Sequence, residues 1–140
     1  MSFKHQCIKD LESQSLFQNS LHLTRMKELL DCFSDKPFFN KGICKCMYLS
    51  AWDDEHFAII LEMLNVMALG KHQDTVDMEA QGDAYIEESD ELQSPLYQLS
   101  QSFLTGLPYE GAPLDKLPEE TRYIMECALK AADVIDRISL

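Results

Sequence analysis

The sequence predicts an all-α protein, a single compact helical domain of five or six helices over residues 1–140. Three observations lead to this prediction. Apolar residues make up 46% of a 140-residue chain, which is enough for the core of one domain. These residues recur three or four positions apart along most of the chain, as they do on the inner face of a helix. The interruptions of this pattern carry capping residues, glycine or proline.

Two helices are predicted before Pro37. Apolar positions at helical spacing place the first near residues 3–16 and the second near residues 20–33. Asn19 or Ser20 is the predicted N-cap of the second helix, because a short polar side chain can accept a hydrogen bond from a free backbone N–H in the first turn. The proline at position 37 prevents the helix from continuing.

The middle of the chain is predicted to contain the centre of the fold. Residues 38–49 lack a clear period and are predicted to be irregular, with a short strand over residues 43–49 that has no obvious pairing partner. A central buried helix follows at about residues 50–69. Ser50 is its predicted cap and Gly70 its end.

One narrow stripe of this central helix is polar. Glu55, Glu62 and Asn65 lie on one line along its surface, together with Ala58. A buried Glu62 would have a raised pKa and would suit acid–base catalysis. A thin solvent-exposed stripe explains the same residues more simply, so no catalytic residue is assigned.

The last third of the chain predicts two further helices. Residues 71–94 carry only a weak helical pattern. The pair Ser94-Pro95 is typical of a helix start, and Gly106 ends that helix. A proline-rich loop over residues 107–118 leads to Pro118, which opens the final helix.

The charge of the chain is large and unevenly placed. The net charge is −12; residues 1–52 hold seven bases against five acids, and residues 53–140 hold five against nineteen. Between His72 and Asp115 there are ten carboxylates and no lysine or arginine. Such a chain is repelled by phosphate backbones, so direct nucleic-acid binding is not expected. A basic protein surface would be attracted to it.

These charges predict a small, non-enzymatic regulator or inhibitor that docks an acidic surface on a basic partner. A dense carboxylate array can imitate nucleic acid and occupy the basic groove of a nuclease or another nucleic-acid-binding protein, as inhibitors made by phages and mobile elements do. Two tyrosines add amphipathic contact area. The predicted partner-binding residues are Asp74, Asp77, Glu79, Asp83, Glu87, Glu88, Asp90, Glu91, Tyr85 and Tyr109. In the alternative interpretation, the charges only keep a small domain soluble.

Part of the acidic tract resembles the calcium-binding loop of EF-hand proteins over twelve residues. Asp77 would be the first ligand, Gly82 the turn residue and Glu88 the twelfth position. The segment departs from that pattern at position three (Glu79), at position five (Gln81) and at position eight, where an alanine replaces the usual aliphatic residue. The resemblance implies a degenerate calcium site.

A second resemblance is to the all-helical MazG-like nucleoside triphosphate pyrophosphohydrolases. Residues 87–91 have the Glu-Glu-x-x-Glu spacing with which that family holds magnesium against a triphosphate. The resemblance implies a magnesium-dependent enzyme. The family also needs a Glu-x-x-Asp motif, but here Glu126 is followed by a leucine at the third position, with Asp133 and Asp136 as the nearest carboxylates.

The five cysteines are the remaining candidates for chemistry. An odd number of thiols favours reduced cysteines in a cytoplasmic protein. Cys44 and Cys46 could bind a metal if His5 and Cys7 of the first helix reached them. In the interpretation preferred here, Cys7, Cys32 and Cys127 are small apolar residues on inner helix faces, and no cofactor or metal is assigned. No apolar run reaches the length of a membrane span.

Overall fold

The protein is helical throughout the part of the chain that the structure describes. The computed structural model describes residues 2–69 and 95–140. Within these ranges there is no strand, and the prediction of an all-α fold is confirmed. The elements are α1 (Phe3–Ser13), α2 (Ser20–Phe33), α3 (Lys41–Ser50), α4 (Asp54–Leu69), α5 (Pro95–Thr105), the short 3₁₀ helix η1 (Leu114–Lys116) and α6 (Glu119–Asp136).

Short polar side chains define the helix starts. Asn19 caps α2, as predicted, and its Oδ1 accepts a hydrogen bond from the His22 backbone N–H at 2.9 Å. Asn40 caps α3 in the same way, with 2.8 Å to the backbone nitrogen of Ile43. Pro95 is the first residue of α5. Each cap satisfies a backbone donor that the first turn of a helix leaves free.

The prediction of an irregular segment with a strand over residues 43–49 is wrong. Residues 41–50 form α3, which packs against α2, α4, α5 and α6. Six of its ten residues are buried, and four of these, Cys46 to Leu49, are consecutive in the sequence, as in a buried strand. Ser50, predicted to cap the next helix, is the last residue of α3.

Glycine at position 42 lets α3 approach α5 closely. A Cβ atom built on Gly42 would lie 2.5 Å from the backbone oxygen of Phe103, closer than real Cβ atoms come. One turn further along α3, the Lys45 Nζ lies 2.8 Å from a carboxylate oxygen of Asp136 on α6. Helix α3 is therefore held between α5 and α6.

The predicted helix at about residues 50–69 is present as α4, which begins at Asp54. The predicted polar stripe is confirmed, since Glu55, Ala58, Glu62 and Asn65 are all exposed. The opposite face is buried in the core and packs against α2 and α3. Helix α3 packs against four other α-helices, and α4 covers one side of it.

None of the described helices is both long enough and apolar enough to cross a membrane.

Candidate functional site

Most of the predicted partner-binding residues lie outside the described part of the chain. This holds for Asp74, Asp77, Glu79, Asp83, Tyr85, Glu87, Glu88, Asp90 and Glu91. The EF-hand-like segment 77–88 and the Glu-Glu-x-x-Glu motif at residues 87–91 are within the same undescribed segment, so both resemblances stay predictions. Of the predicted set, the structure places Tyr109.

Tyr109 connects the loop that follows α5 to the core. Its ring is half-buried against the core, and its hydroxyl donates a hydrogen bond to the backbone oxygen of Ala112 at 2.8 Å. Burial raises the pKa of this hydroxyl. A Cβ atom at Gly111 would come within 2.7 Å of the Tyr109 ring, which explains the glycine there. Because the hydroxyl is engaged within the loop, a docking role would use the exposed part of the ring.

The carboxylates of the last helix do not complete a magnesium site within the described residues. Asp136 is paired with Lys45, and Lys41 donates a hydrogen bond to the Asp136 backbone oxygen at 2.9 Å. Glu126 and Asp133 are exposed on α6. The second half of the MazG-like motif is thus an ion-paired and solvated helix surface.

Two of the predicted thiol ligands meet, but the four-ligand set does not assemble. The sulfur atoms of Cys7 and Cys44 are 3.8 Å apart in the core. The Cys46 thiol instead donates to the backbone oxygen of Ser100 at 3.3 Å, and His5 bonds to the Ser2 hydroxyl at 2.9 Å. Over residues 2–69 and 95–140, no three His, Cys, Asp or Glu side chains form a group that could hold a metal ion.

Burial explains the state of these thiols. It raises the pKa of both Cys44 and Cys46 far above the usual value, so both remain protonated. Cys7 and Cys127 are buried, as expected for small apolar residues. The same expectation is wrong for Cys32, which is exposed on α2 because its position faces solvent rather than α3.

His22 is a buried neutral histidine whose partners the sequence did not reveal. It has no exposed surface, and its ring lies among Phe17, Tyr48 and Trp52, with ring centroids 4.7 to 5.2 Å away. Its Nε2–H donates to the Tyr48 backbone oxygen at 2.9 Å, while its Nδ1 accepts from the Gln18 backbone N–H at 3.1 Å. Burial is the main reason why its pKa is lowered to about 4.

A cleft of about 70 Å³ lies beside Trp52, where α3, α4, α5 and α6 meet. We refer to it as the Trp52 cleft. Its apolar walls are formed by Leu49, Trp52, Ile59, Ile60, Met63, Leu96, Leu104 and Ile124. Its polar lining consists of Cys46, Ser50, Asp53, His56, Tyr97, Ser100 and Gln101. A concave apolar site with a few polar groups is the usual form of a binding pocket.

Asp53 supplies the negative charge of the Trp52 cleft. Its Oδ1 accepts the backbone N–H of His56 at 2.8 Å and thereby caps α4. The Nδ1 atom of the same histidine lies 2.8 and 2.9 Å from the two carboxylate oxygens. The Asp53 side chain keeps half of its surface exposed, so the carboxylate retains free acceptor capacity.

Gln101, one of the residues that line the Trp52 cleft, has a buried side-chain oxygen, Oε1, without a hydrogen-bond partner. Among the described residues, no other buried side-chain oxygen or nitrogen lacks a partner. Two donors of the cleft lining are bonded elsewhere: the Cys46 thiol to the Ser100 backbone oxygen, and the Ser100 hydroxyl to the Leu96 backbone oxygen at 3.1 Å. A buried acceptor without a donor has lost its hydration without compensation.

Replacing Gln101 by methionine, which has a similar shape and no amide, is expected to stabilise the protein. The gain in the free energy of unfolding should be about 1 kcal/mol, because the substitution removes an uncompensated buried acceptor. Urea denaturation measures it. Gln18→Met, at an exposed position, is the matched control and should change stability by less than about 0.5 kcal/mol. A loss of stability in Gln101→Met would show that the amide is already satisfied.

Comparison of the chain with protein-family models, with curated proteins and with solved structures finds no match.

Proposed function

We propose that this protein is a non-enzymatic regulator that binds a basic protein partner through the acidic tract at residues 74–91. The proposal depends chiefly on one observation: ten carboxylates and no lysine or arginine between His72 and Asp115. A surface of one sign steers an oppositely charged partner and raises the association rate. The basic surface of a nucleic-acid-handling protein has the complementary charge.

The ion pairs of the helical core support this role for the tract. Lys4 pairs with Asp31, Arg25 with Asp54, and Lys45 with Asp136. These bases are thus engaged by carboxylates of the core itself. Residues 53–140 hold fourteen more acids than bases, and this excess is available to attract a basic partner.

The reactive groups of the core have structural roles, which favours binding over catalysis. Burial keeps the thiols of Cys44 and Cys46 protonated, and a protonated thiol is a poor nucleophile. Both ring nitrogens of His22 are hydrogen-bonded to the backbone. The pair formed by Asp53 and His56 caps α4.

The test is capture of the partner by a variant in which Glu87, Glu88, Asp90 and Glu91 are changed to Gln, Gln, Asn and Gln. Loss of capture is expected, because the substitutions remove four of the eight negative charges of the tract while changing little in side-chain size. The measurement is a pull-down from the native host followed by mass spectrometry, with circular dichroism to verify the fold.

A control with the same change in charge separates docking from general acidity. Changing Glu119, Glu120 and Glu126 to Gln and Asp133 to Asn removes four exposed carboxylates of α6 and should leave capture intact. Capture by the wild type should also weaken as salt is raised from about 0.05 M to about 0.5 M. Undiminished capture by the tract variant, or an equal loss in the α6 variant, would contradict the proposal.

A further inference from the structure

We propose that Cys7 and Cys44 form a disulfide when the protein is exposed to a peroxide, and that this bond links helix α1 covalently to helix α3. The inference does not depend on the proposed function, because it concerns the helical core and needs no partner. It gives the core a second, oxidised state in which α1 can no longer separate from α3.

The two sulfur atoms already face each other in the core. The Sγ atoms of Cys7 and Cys44 are 3.8 Å apart, although the two residues are 37 positions apart in the chain. The sulfur atoms of a disulfide are about 2 Å apart, so the pair has to approach by less than about 2 Å. Rotation of the two side chains about their Cα–Cβ bonds, with a small shift of α1, covers this distance.

The other three cysteines have different surroundings. The Cys46 thiol donates to the Ser100 backbone oxygen at 3.3 Å. Cys32 is exposed on α2, and Cys127 is buried on α6. All five cysteines lie in the described part of the chain, and the thiol–thiol contact found there is the one between Cys7 and Cys44.

Few buried residues attach helix α1 to the rest of the protein. Three of its eleven residues are buried, namely Cys7, Ile8 and Leu11, whereas six of ten are buried in α3. A terminal helix with few buried apolar contacts opens at a lower free energy than the centre of a core. A covalent bond to α3, which packs against four other α-helices, would therefore act on a helix that can open locally.

The same local opening gives the oxidant access. Neither Cys7 nor Cys44 has any exposed surface in the closed fold. When α1 opens, hydrogen peroxide oxidises one thiol to a sulfenic acid and one water is released. When α1 closes, the sulfur of the other thiol attacks the sulfenic sulfur, the S–O bond breaks, and the hydroxyl leaves with the thiol proton as a second water. Two thiols and one peroxide thus give one disulfide and two waters.

The test is treatment of the reduced protein with excess hydrogen peroxide, followed by alkylation of the remaining thiols, digestion with trypsin and mass spectrometry without reduction. Trypsin cleaves after lysine, and the lysine at position 45 separates Cys44 from Cys46. The expected product is residues 5–9 joined to residues 42–45, lighter than the two peptides together by the two thiol hydrogens. Absence of this product, or preferential joining of residues 5–9 to the peptide that contains Cys46, would overturn the inference.

The melting temperature reports whether the bond stabilises the fold. Oxidation should raise it by about 10 °C, because a bond between residues 37 positions apart restricts the unfolded chain. Circular dichroism of the oxidised and reduced protein measures the difference, and a dithiol reductant should reverse it. A disulfide that leaves the melting temperature unchanged, or lowers it, would contradict a bond that the packing of α1 and α3 accommodates.

Four variants assign the effect to the pair. Cys7→Ala and Cys44→Ala should show no rise on oxidation. Cys46→Ala is the matched control, because it removes another buried thiol of α3, and it should show the wild-type rise. Cys32→Ala removes the exposed thiol that could join two molecules, and it should also behave like the wild type. Each variant is compared with its own reduced form, so a loss of stability from the substitution itself cancels. A wild-type rise in Cys7→Ala or Cys44→Ala would show that another pair is oxidised.

Discussion

Lowering the pH from 7 to 4 is expected to lower the free energy of unfolding by about 3 kcal/mol through His22 alone. In the unfolded chain this histidine has a pKa near 6.5, whereas in the fold its pKa is about 4. Between these values the unfolded state binds a proton that the folded state does not, so acid favours unfolding. The contribution is complete above pH 6.5 and is lost as the pH falls to 4.

The cause of this sensitivity is the hydrogen bonding of the buried ring. The Nδ1 atom accepts a backbone N–H from Gln18 while Nε2–H donates to Tyr48. A proton on Nδ1 would point at the backbone N–H of Gln18, which is also a donor, in a site surrounded by aromatic rings. Burial removes the water that would stabilise the charged imidazolium. The positive charge of Arg25 nearby lowers the pKa of His22 further.

The measurement is urea denaturation of the wild type and of His22→Gln at several pH values from 7 to 4. The variant should be less stable at pH 7, but its stability should fall by about 3 kcal/mol less over this range. His5→Gln is the control, because His5 is exposed and its removal should leave the pH dependence unchanged. Equal slopes for the wild type and His22→Gln would contradict the assignment.

The features of the fold that the sequence predicts are those fixed by local chemistry. Asn19 and Pro95 mark helix starts because capping and the fixed backbone angle of proline act within one turn. The exposed stripe through Glu62 follows from helical geometry alone. Its prediction needed only the spacing of the polar residues.

Helix α3 was missed because its environment is not local. Four other helices pack against α3 and bury its consecutive residues 46–49, and such a short apolar run cannot be distinguished from a buried strand by its sequence. The Asn40 cap was the available signal. The glycine at position 42 has a low intrinsic preference for helix, and its role in the close packing against α5 is visible only in the fold.

The Trp52 cleft could not be predicted for the same reason. The sequence predicts Ser50 as the cap of α4, whereas Asp53 caps it in the structure through the backbone N–H of His56. Their meeting with Gln101, more than forty residues later in the chain, depends on how α3, α4 and α5 pack. The spacing of residues in the sequence does not indicate that these side chains line one cleft, or that the Gln101 oxygen is buried.

The central position of α3 predicts a specific order of stability losses. Met47→Ala in α3 should lower the free energy of unfolding by about 4 kcal/mol, and Met63→Ala in α4 by about 2 kcal/mol. Both residues are helical methionines with little exposed surface, 0% for Met47 and 7% for Met63. The same atoms are deleted and the same change in helix propensity occurs at both sites.

The difference arises from what surrounds each cavity. Met47 lies in a helix enclosed by four others, whose rigid packing cannot collapse into the space left by the side chain. Met63 lines the Trp52 cleft, so the space that it vacates joins an existing opening and water or neighbouring side chains can enter. Urea denaturation of both variants measures the order. An equal loss, or a larger one for Met63→Ala, would contradict the central position of α3 in the core.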